Sequence, residues 1–244
     1  MTADVTSANI VGYQEIAISN SIYQLVTVTF KDIGAKEKFD IQNIRVVDET
    51  GAEYIAAVNR VKIQFVDESL VAYGTYGTTY NWRKTATATG WHKTSTYLGN
   101  TNMVGNGQAM LVNNTSGKTL FFRISGEVEL NPTSIYFAGG NAYQTLGNMT
   151  PVALDIQDIV PYSSVALGTN KIKLQLIDPD KAAYGTYGTT YNWRSTTAGT
   201  GWHKTGTYLG RGAVIVQPGQ GFLVQNGLTE PAYLQFKSPV TSAE

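Results

Sequence analysis

Between residues 60 and 66 apolar and polar side chains alternate, with Val61, Ile63 and Phe65 in one register and Lys62 and Gln64 in the other. Successive side chains of a strand point to opposite faces, so this alternation predicts a strand with one face in a core. The pattern returns at Ile172, Leu174 and Leu176, with Lys173 and Gln175 between them. Residues 10–18, the Val- and Thr-rich 23–30, 108–113 and 120–124 read as further strands. No stretch holds an apolar period of 3.6, and the only helical turns expected are short ones near 41–44 and 156–159. Glycines punctuate the runs, and several short strands at regular spacing imply sheets stacked as sandwiches or closed as barrels.

The pattern repeats because the sequence does. Residues 72–83 recur unchanged as 183–194, and over 72–99 and 183–210 23 of 28 positions are identical at an offset of 111. Elsewhere the likeness is looser. Asp40-Ile41-Gln42-Asn43-Ile44 answers Asp155-Ile156-Gln157-Asp158-Ile159 at an offset of 115, and Gly107-Gln108-Ala109-Met110-Leu111-Val112 answers Gly219-Gln220-Gly221-Phe222-Leu223-Val224 at 112. Constant blocks with drifting offsets are strands separated by loop insertions, and self-similarity at a long fixed period marks a repeated structural unit. The expected fold is all-β, with two tandem homologous antiparallel domains of β-sandwich or barrel-like form, residues 1–127 and 128–244. The link between them near 126–132 is short, which predicts domains packed on one another.

Composition narrows the choice of function. Charged residues make up 15% of the chain, against about 25% in an ordinary soluble protein. Thr, Asn, Ser, Gly and Tyr take their place, a mixture suited to the half-exposed sheets of secreted and surface proteins. Basic and acidic residues balance at 18 each, without a basic run. That argues against nucleic acid as a partner and leaves little long-range repulsion between copies. The absence of cysteine excludes disulfides and thiol chemistry. No apolar run is long enough for a membrane-spanning helix. Met1-Thr2-Ala3-Asp4 has neither the basic nor the apolar region of a leader, which leaves a cytoplasmic chain or one whose leader has been removed.

All four tryptophans, both histidines and eight of the 15 tyrosines lie in the near-identical segments. The candidate binding residues are therefore Tyr73, Tyr76, Tyr80, Trp82, Arg83, Trp91 and His92, with Tyr184, Tyr187, Tyr191, Trp193, Arg194, Trp202 and His203 in the second copy. On a packing reading they form a hairpin with arms 80–83 and 90–94, Trp82 facing Trp91 across the strands and 84–89 as the tip. An interface reading starts from the contrast between diverged core positions and an unchanged segment rich in Tyr, Trp and Arg, the residues that dominate binding hot spots. A carbohydrate reading has the aromatic faces stack on sugar rings while Asn81, Arg83 and His92 bond hydroxyls. One histidine per copy without a neighbouring carboxylate is poor metal-ligand spacing, and Asp67-Glu68 and Asp178-Pro179-Asp180 lack the pattern of a calcium loop. No nucleophile-elbow, HExxH, phosphate-loop or dinucleotide motif occurs. No enzyme, catalytic residue, metal or cofactor is expected.

Ser7-Ala8-Asn9-Ile10-Val11-Gly12-Tyr13, the pairs Gly90-Trp91 and Gly201-Trp202, and Gly219-Gln220-Gly221-Phe222-Leu223-Val224 resemble motifs of a group of secreted and surface bacterial tandem β-repeat proteins. The first copy departs from them with Ala109-Met110 in place of Gly221-Phe222. The resemblance implies β-structure, secretion and a cleaved leader, and brings no catalytic residues. The expected function is a structural subunit of a self-assembling extracellular or cell-surface homopolymer: a filament, sheath or layer. The partner is a second copy held head-to-tail, with the strand at 233–240 of one copy pairing beside the first strand of the next. The alternatives are a glycan-binding adhesin module, with glycans as partner, and a virion coat protein.

Overall fold

The computed structural model describes residues 11–32, 38–55, 59–66, 76–86, 88–94, 96–97, 99, 103–105, 107–128, 133–141, 143–177 and 188–237. Within them the chain is all-β, and the only helical elements are two 3-10 turns at Ile41–Asn43 and Ile156–Asp158, where short helical turns were expected. The first half carries β1 (Val11–Ile18), β2 (Tyr23–Thr27), β3 (Phe30–Lys31), β4 (Lys38–Asp40), β5 (Arg45–Val47), β6 (Val61–Val66), β7 (Tyr76–Lys84), β8 (Thr89–Lys93), β9 (Thr96–Tyr97), β10 (Met103–Gly105), β11 (Ala109–Asn114) and β12 (Leu120–Val128). The second carries β13 (Thr133–Phe137), β14 (Tyr143–Gly147), β15 (Leu154–Asp155), β16 (Ile159–Tyr162), β17 (Ile172–Gln175), β18 (Thr190–Thr196), β19 (Gly199–Lys204), β20 (Thr207–Tyr208), β21 (Ile215–Val216), β22 (Gly221–Asn226) and β23 (Ala232–Phe236).

The strand order of the two halves agrees. A six-stranded sheet runs β2-β11-β6-β7-β8-β9 in the first and β14-β22-β17-β18-β19-β20 in the second. A smaller sheet centres on β12, with β1 on one side and β3 and β5 on the other, and its counterpart runs β13-β23-β16. Two-stranded pieces, β10-β4 and β15-β21, complete each half. Among the described residues the short β3 has no counterpart in the second half. All these sheets are antiparallel and none closes, so the barrel form is not adopted.

Each half has its own core, filled from both of its larger sheets. In the first, Ile18, Val46, Phe122 and Ile124 meet Val61, Ile63, Trp82, Trp91, Met110 and Val112. In the second, Ile159, Leu234 and Phe236 meet Ile172, Leu174, Trp193, Trp202, Phe222 and Val224. The alternation at 61–66 and 172–176 places Val61, Ile63, Ile172 and Leu174 fully inside, while Phe65 and Leu176 pack on the margins. The run expected as one strand at 23–30 is broken: the chain leaves the large sheet after Thr27 and rejoins the small one at Phe30.

β11 and β22 do not alternate, and their surroundings explain it. Met110 and Val112 face the first core, while Ala109 and Leu111 join Leu25 and Leu223 in a separate cluster between the halves. A strand covered on both faces reads as a continuous apolar run. The seam is reciprocal. The Thr27 amide donates to the Gly219 carbonyl (2.9 Å), and the Gly147 amide donates to the Gly107 carbonyl (3.0 Å). Val26 bridges Gln220 as Leu146 bridges Gln108. Thr27 and Gly147 hold the same place in β2 and β14, as Gly107 and Gly219 do ahead of β11 and β22. Both glycines have positive φ (+72° and +74°), and a Cβ on either would overlap an isoleucine of the other half, Ile135 or Ile16 respectively. The seam is thus a pseudo-two-fold contact within one chain.

One part of the expected assembly needs correcting. Tyr233 to Phe236 already lie in a central strand, paired on one side with β13 and on the other with β16. Both rows of main-chain groups are used, so these residues cannot extend a neighbour's sheet as a donated strand.

Candidate functional site

The near-identical segments fold as the packing reading has it. β7 pairs with β8 so that Trp82 faces Trp91, and β18 pairs with β19 so that Trp193 faces Trp202. In both pairs the ring centroids lie 5.4 Å apart in edge-to-face geometry. The indole N–H groups of Trp82, Trp91 and Trp202 donate to the carbonyls of Tyr54 (2.7 Å), Ile44 (3.0 Å) and Ile159 (2.7 Å). Tyr80, Tyr191 and all four tryptophans belong to the cores. Burial raises the phenol pKa of Tyr80 and Tyr191 above the ordinary value, against a smaller lowering by a threonine hydrogen bond. All six are buried, at most 9% exposed, so their rings are engaged in packing within their own half. Tyr73, Tyr184 and Tyr187 lie outside the described residues, as does the side chain of Tyr76.

At Gly90-Trp91 and Gly201-Trp202 the identity of the segments has an internal cause. Asp40 and Asp155 cap the 3-10 turns by accepting from the Gln42 and Gln157 amides (2.9 and 2.8 Å). Each glutamine side chain then clamps the backbone of a tryptophan. Gln42 accepts from the Trp91 amide (3.0 Å) and donates to its carbonyl (2.9 Å). Gln157 does the same at Trp202 (2.9 and 3.0 Å) and also donates to Leu209 (2.7 Å). At Trp202 the carbonyl accepts from the Leu209 amide as well (3.1 Å), so the glutamine adds to the main-chain pairing and ties the 3-10 turn to the hairpin. The glutamine amide passes so close to Gly90 and Gly201, at φ of +156° and +159°, that a Cβ there would meet the glutamine Oε1. Asp-Ile-Gln and Gly-Trp therefore constrain each other across 49 and 45 residues.

On the outer face of each large sheet the register aligns a row of polar residues. In the first half Tyr23, Asn113, Lys62, Asn81, His92 and Tyr97 are successive cross-strand partners from β2 to β9. In the second half the row from β14 to β20 is Tyr143, Gln225, Lys173, Asn192, His203 and Tyr208. Five of the six positions carry the same residue type. His92 and His203 are buried in their rows, each ring 5.2 Å from that of Tyr97 or Tyr208. Among the described residues neither ring nitrogen of His203 is hydrogen-bonded. Arg83 bonds Asn59 and the Thr94 carbonyl, and Arg194 bonds Asn170, so both guanidiniums are tied to their own half.

Tyr23 and Tyr143 pack on the Leu25, Ala109, Leu111 and Leu223 cluster, so both rows start at the seam and run away from it. Beside the seam lies a cavity of about 250 Å³ lined by Ile16, Tyr23, Leu25, Ile177 and Pro218 among others, and a smaller one of about 120 Å³ lies at Tyr143, Lys173 and Gln225. Sequence reasoning caught Asn81, His92 and His203 and missed Tyr23, Lys62 and Asn113 with their second-half equivalents Tyr143, Lys173 and Gln225. The matched Lys62–Gln64 and Lys173–Gln175 were the one available signal. Among the described residues no three His, Cys, Asp or Glu side chains cluster as metal ligands, and no helix is long and apolar enough to cross a membrane. Chemically, the accessible part of each row offers neutral hydrogen-bonding groups and a single cation, with the histidine buried among them. No protein-family model, curated protein or solved structure matches the chain.

Proposed function

We propose that the chain is a non-catalytic structural subunit of a self-assembling homopolymer outside the cell or on its surface, and that residues 1–127 and 128–244 are tandem homologous β-sandwich domains. One observation carries the reading: a single body, fastened by a reciprocal seam, displays the same polar row twice. A unit with two equivalent faces can meet two neighbours. The first-half face of one copy set against the second-half face of the next gives a head-to-tail contact that repeats without closing. Zero net charge favours such association, and the low-charge, Thr- and Tyr-rich composition supports an extracellular setting.

The test is negative-stain microscopy with sedimentation of the wild type and of Asn113→Lys and Gln225→Lys, each of which adds a second cation to one face, against the lysine of the face it would meet. The wild type should form open polymers. Each variant alone should remain monomeric, and an equimolar mixture should stop at a heterodimer through the one intact pair of faces. A wild type that stays monomeric at high concentration overturns the proposal. Closed particles of uniform size would point instead to a shell-forming coat protein.

A further inference from the structure

The small sheets of the two halves share a strand order and carry different outer surfaces. In the second half Tyr136, Tyr233 and Tyr162 are direct cross-strand partners over β13, β23 and β16. Tyr162 stacks on Tyr233 with centroids 5.1 Å apart and planes 14° from parallel, and Tyr136 meets Tyr233 edge-on at 5.7 Å and 75°. Tyr136 is 53% exposed and Tyr162 42%. Among the described residues the three hydroxyls make no hydrogen bond. The adjacent row, Ser134, Gln235 and Val160, is uncharged.

The aligned positions of the first half are Ala17, Phe121 and Val47, followed by Glu15, Arg123 and Arg45. Charge dominates that surface: Arg123 pairs with Glu15 at 2.7 Å and lies over the Tyr13 ring, and Arg45 pairs with Glu53 at 3.3 Å. The chain beyond β5 also folds back to cover the edge. The Tyr54 amide donates to the Val46 carbonyl (2.8 Å), and Glu53 bridges Val47. In the second half the place of Val46 is taken by Pro161, which has no N–H to offer on an edge strand and so resists pairing with another chain.

We propose that the Tyr136–Tyr233–Tyr162 ladder is a binding platform for a neutral polysaccharide. The electron-rich faces of exposed aromatic rings attract the polarised C–H groups of a sugar ring, and the ladder offers the outer face of Tyr162 and the turned ring of Tyr136 at its two ends. The phenol hydroxyls, Gln235 and Ser134 can donate to and accept from sugar hydroxyls. No charge stands in either row to pair a carboxylate, sulfate or phosphate, which selects an uncharged chain. A protein partner fits less well, since a stable contact buries about 800 Å² per side around an apolar centre. Three rings flanked by exposed Ser and Gln, beside a proline-blunted edge, supply a narrow strip. The site does not depend on self-assembly and can stand or fall separately from it.

Affinity electrophoresis of the full chain tests the platform, with gels containing hydroxyethylcellulose, xyloglucan, galactomannan or dextran as neutral probes and alginate or heparin as anionic ones. At least one neutral gel should retard the protein, independently of salt. Tyr136→Thr combined with Tyr162→Thr, which keeps strand propensity, should weaken that retardation at least about tenfold. The melting temperature should fall by no more than a few degrees, the share of the two lost ring contacts, and Tyr13→Thr on the first half should bind like the wild type. The double Phe variant at 136 and 162 keeps the rings and should retain most of the binding. The proposal is overturned if no neutral gel retards the protein, if only anionic gels do, if the Thr variant binds normally, or if the Phe variant binds as poorly as the Thr one. It is equally overturned if the Thr variant loses self-association while keeping its retardation, because the ladder is then a contact between copies.

Discussion

The large sheets of the two halves are near copies, while their small sheets have parted company. Trp82 and Trp91 repeat in Trp193 and Trp202 with the same 5.4 Å ring separation, and the polar row above them repeats almost residue for residue. On the small sheet the positions of Glu15 and Arg123 are held by Ser134 and Gln235, and that of Ala17 by Tyr136. The difference shows where the fold leaves freedom. A residue clamped by a glutamine, a glycine and a partner indole cannot change alone, whereas one on an open sheet face can change without disturbing the core.

The comparison can be tested from its strongest link downward. Trp91→Ala and Trp202→Ala should each cost about 3–5 kcal/mol in denaturant unfolding, nearly equally, since the two indoles are fully buried in equivalent settings. Costs differing by more than half would mean that the cores are not equivalent. At the seam, Gly107→Ala and Gly219→Ala should each cost about 2–3 kcal/mol, from positive φ and overlap with the facing isoleucine. A seam that yields should also split a single unfolding transition into two. Gln42→Ala and Gln157→Ala should each cost about 1–3 kcal/mol, because each glutamine bonds both the amide and the carbonyl of a buried tryptophan. A loss below about 0.5 kcal/mol at both positions would refute the clamp.

The smallest effect separates the halves by pH. Glu15 is held below the usual carboxylate range, first by the Tyr13 hydroxyl and then by Arg123. Its contribution is therefore full above the ordinary carboxylate pKa and is lost as pH falls through the lowered value. The second half has Ser134 at this place. Glu15→Gln should reduce stability by less than about 1 kcal/mol at pH 7 and flatten the acid side of the stability curve, read by thermal melts between pH 2 and 7. An unchanged curve would show the pair to be idle.

Much of this fold was legible in the sequence because it rests on period and repetition. The alternation at Val61 and Ile63 named a buried face, and the spacing of Trp82 and Trp91 named a hairpin, since both signals are local. The unchanged segment was harder. It suggested an outside partner, yet at Gly90-Trp91 and Gly201-Trp202 the demand comes from Gln42 and Gln157, distant in sequence, whose side chains bond the tryptophan backbone. The polar rows and the tyrosine ladder were hidden for a related reason. Tyr23 meets Asn113, and Tyr136 meets Tyr233, only once register is set across strands brought from far along the chain. The break after Thr27 was missed because β-propensity does not say which sheet a strand joins.

The reciprocal seam has one more consequence. Two identical protein surfaces on separate molecules meet in proportion to their concentration, and dilution parts them. Here the two partners share a backbone, so their encounter is intramolecular and proceeds at an effective concentration set by the short connection, of the order of millimolar for such tethers. The pairing thus holds at any dilution, and a weak set of contacts at Thr27, Gly107, Gly147 and Gly219 suffices where a free dimer would need a strong one.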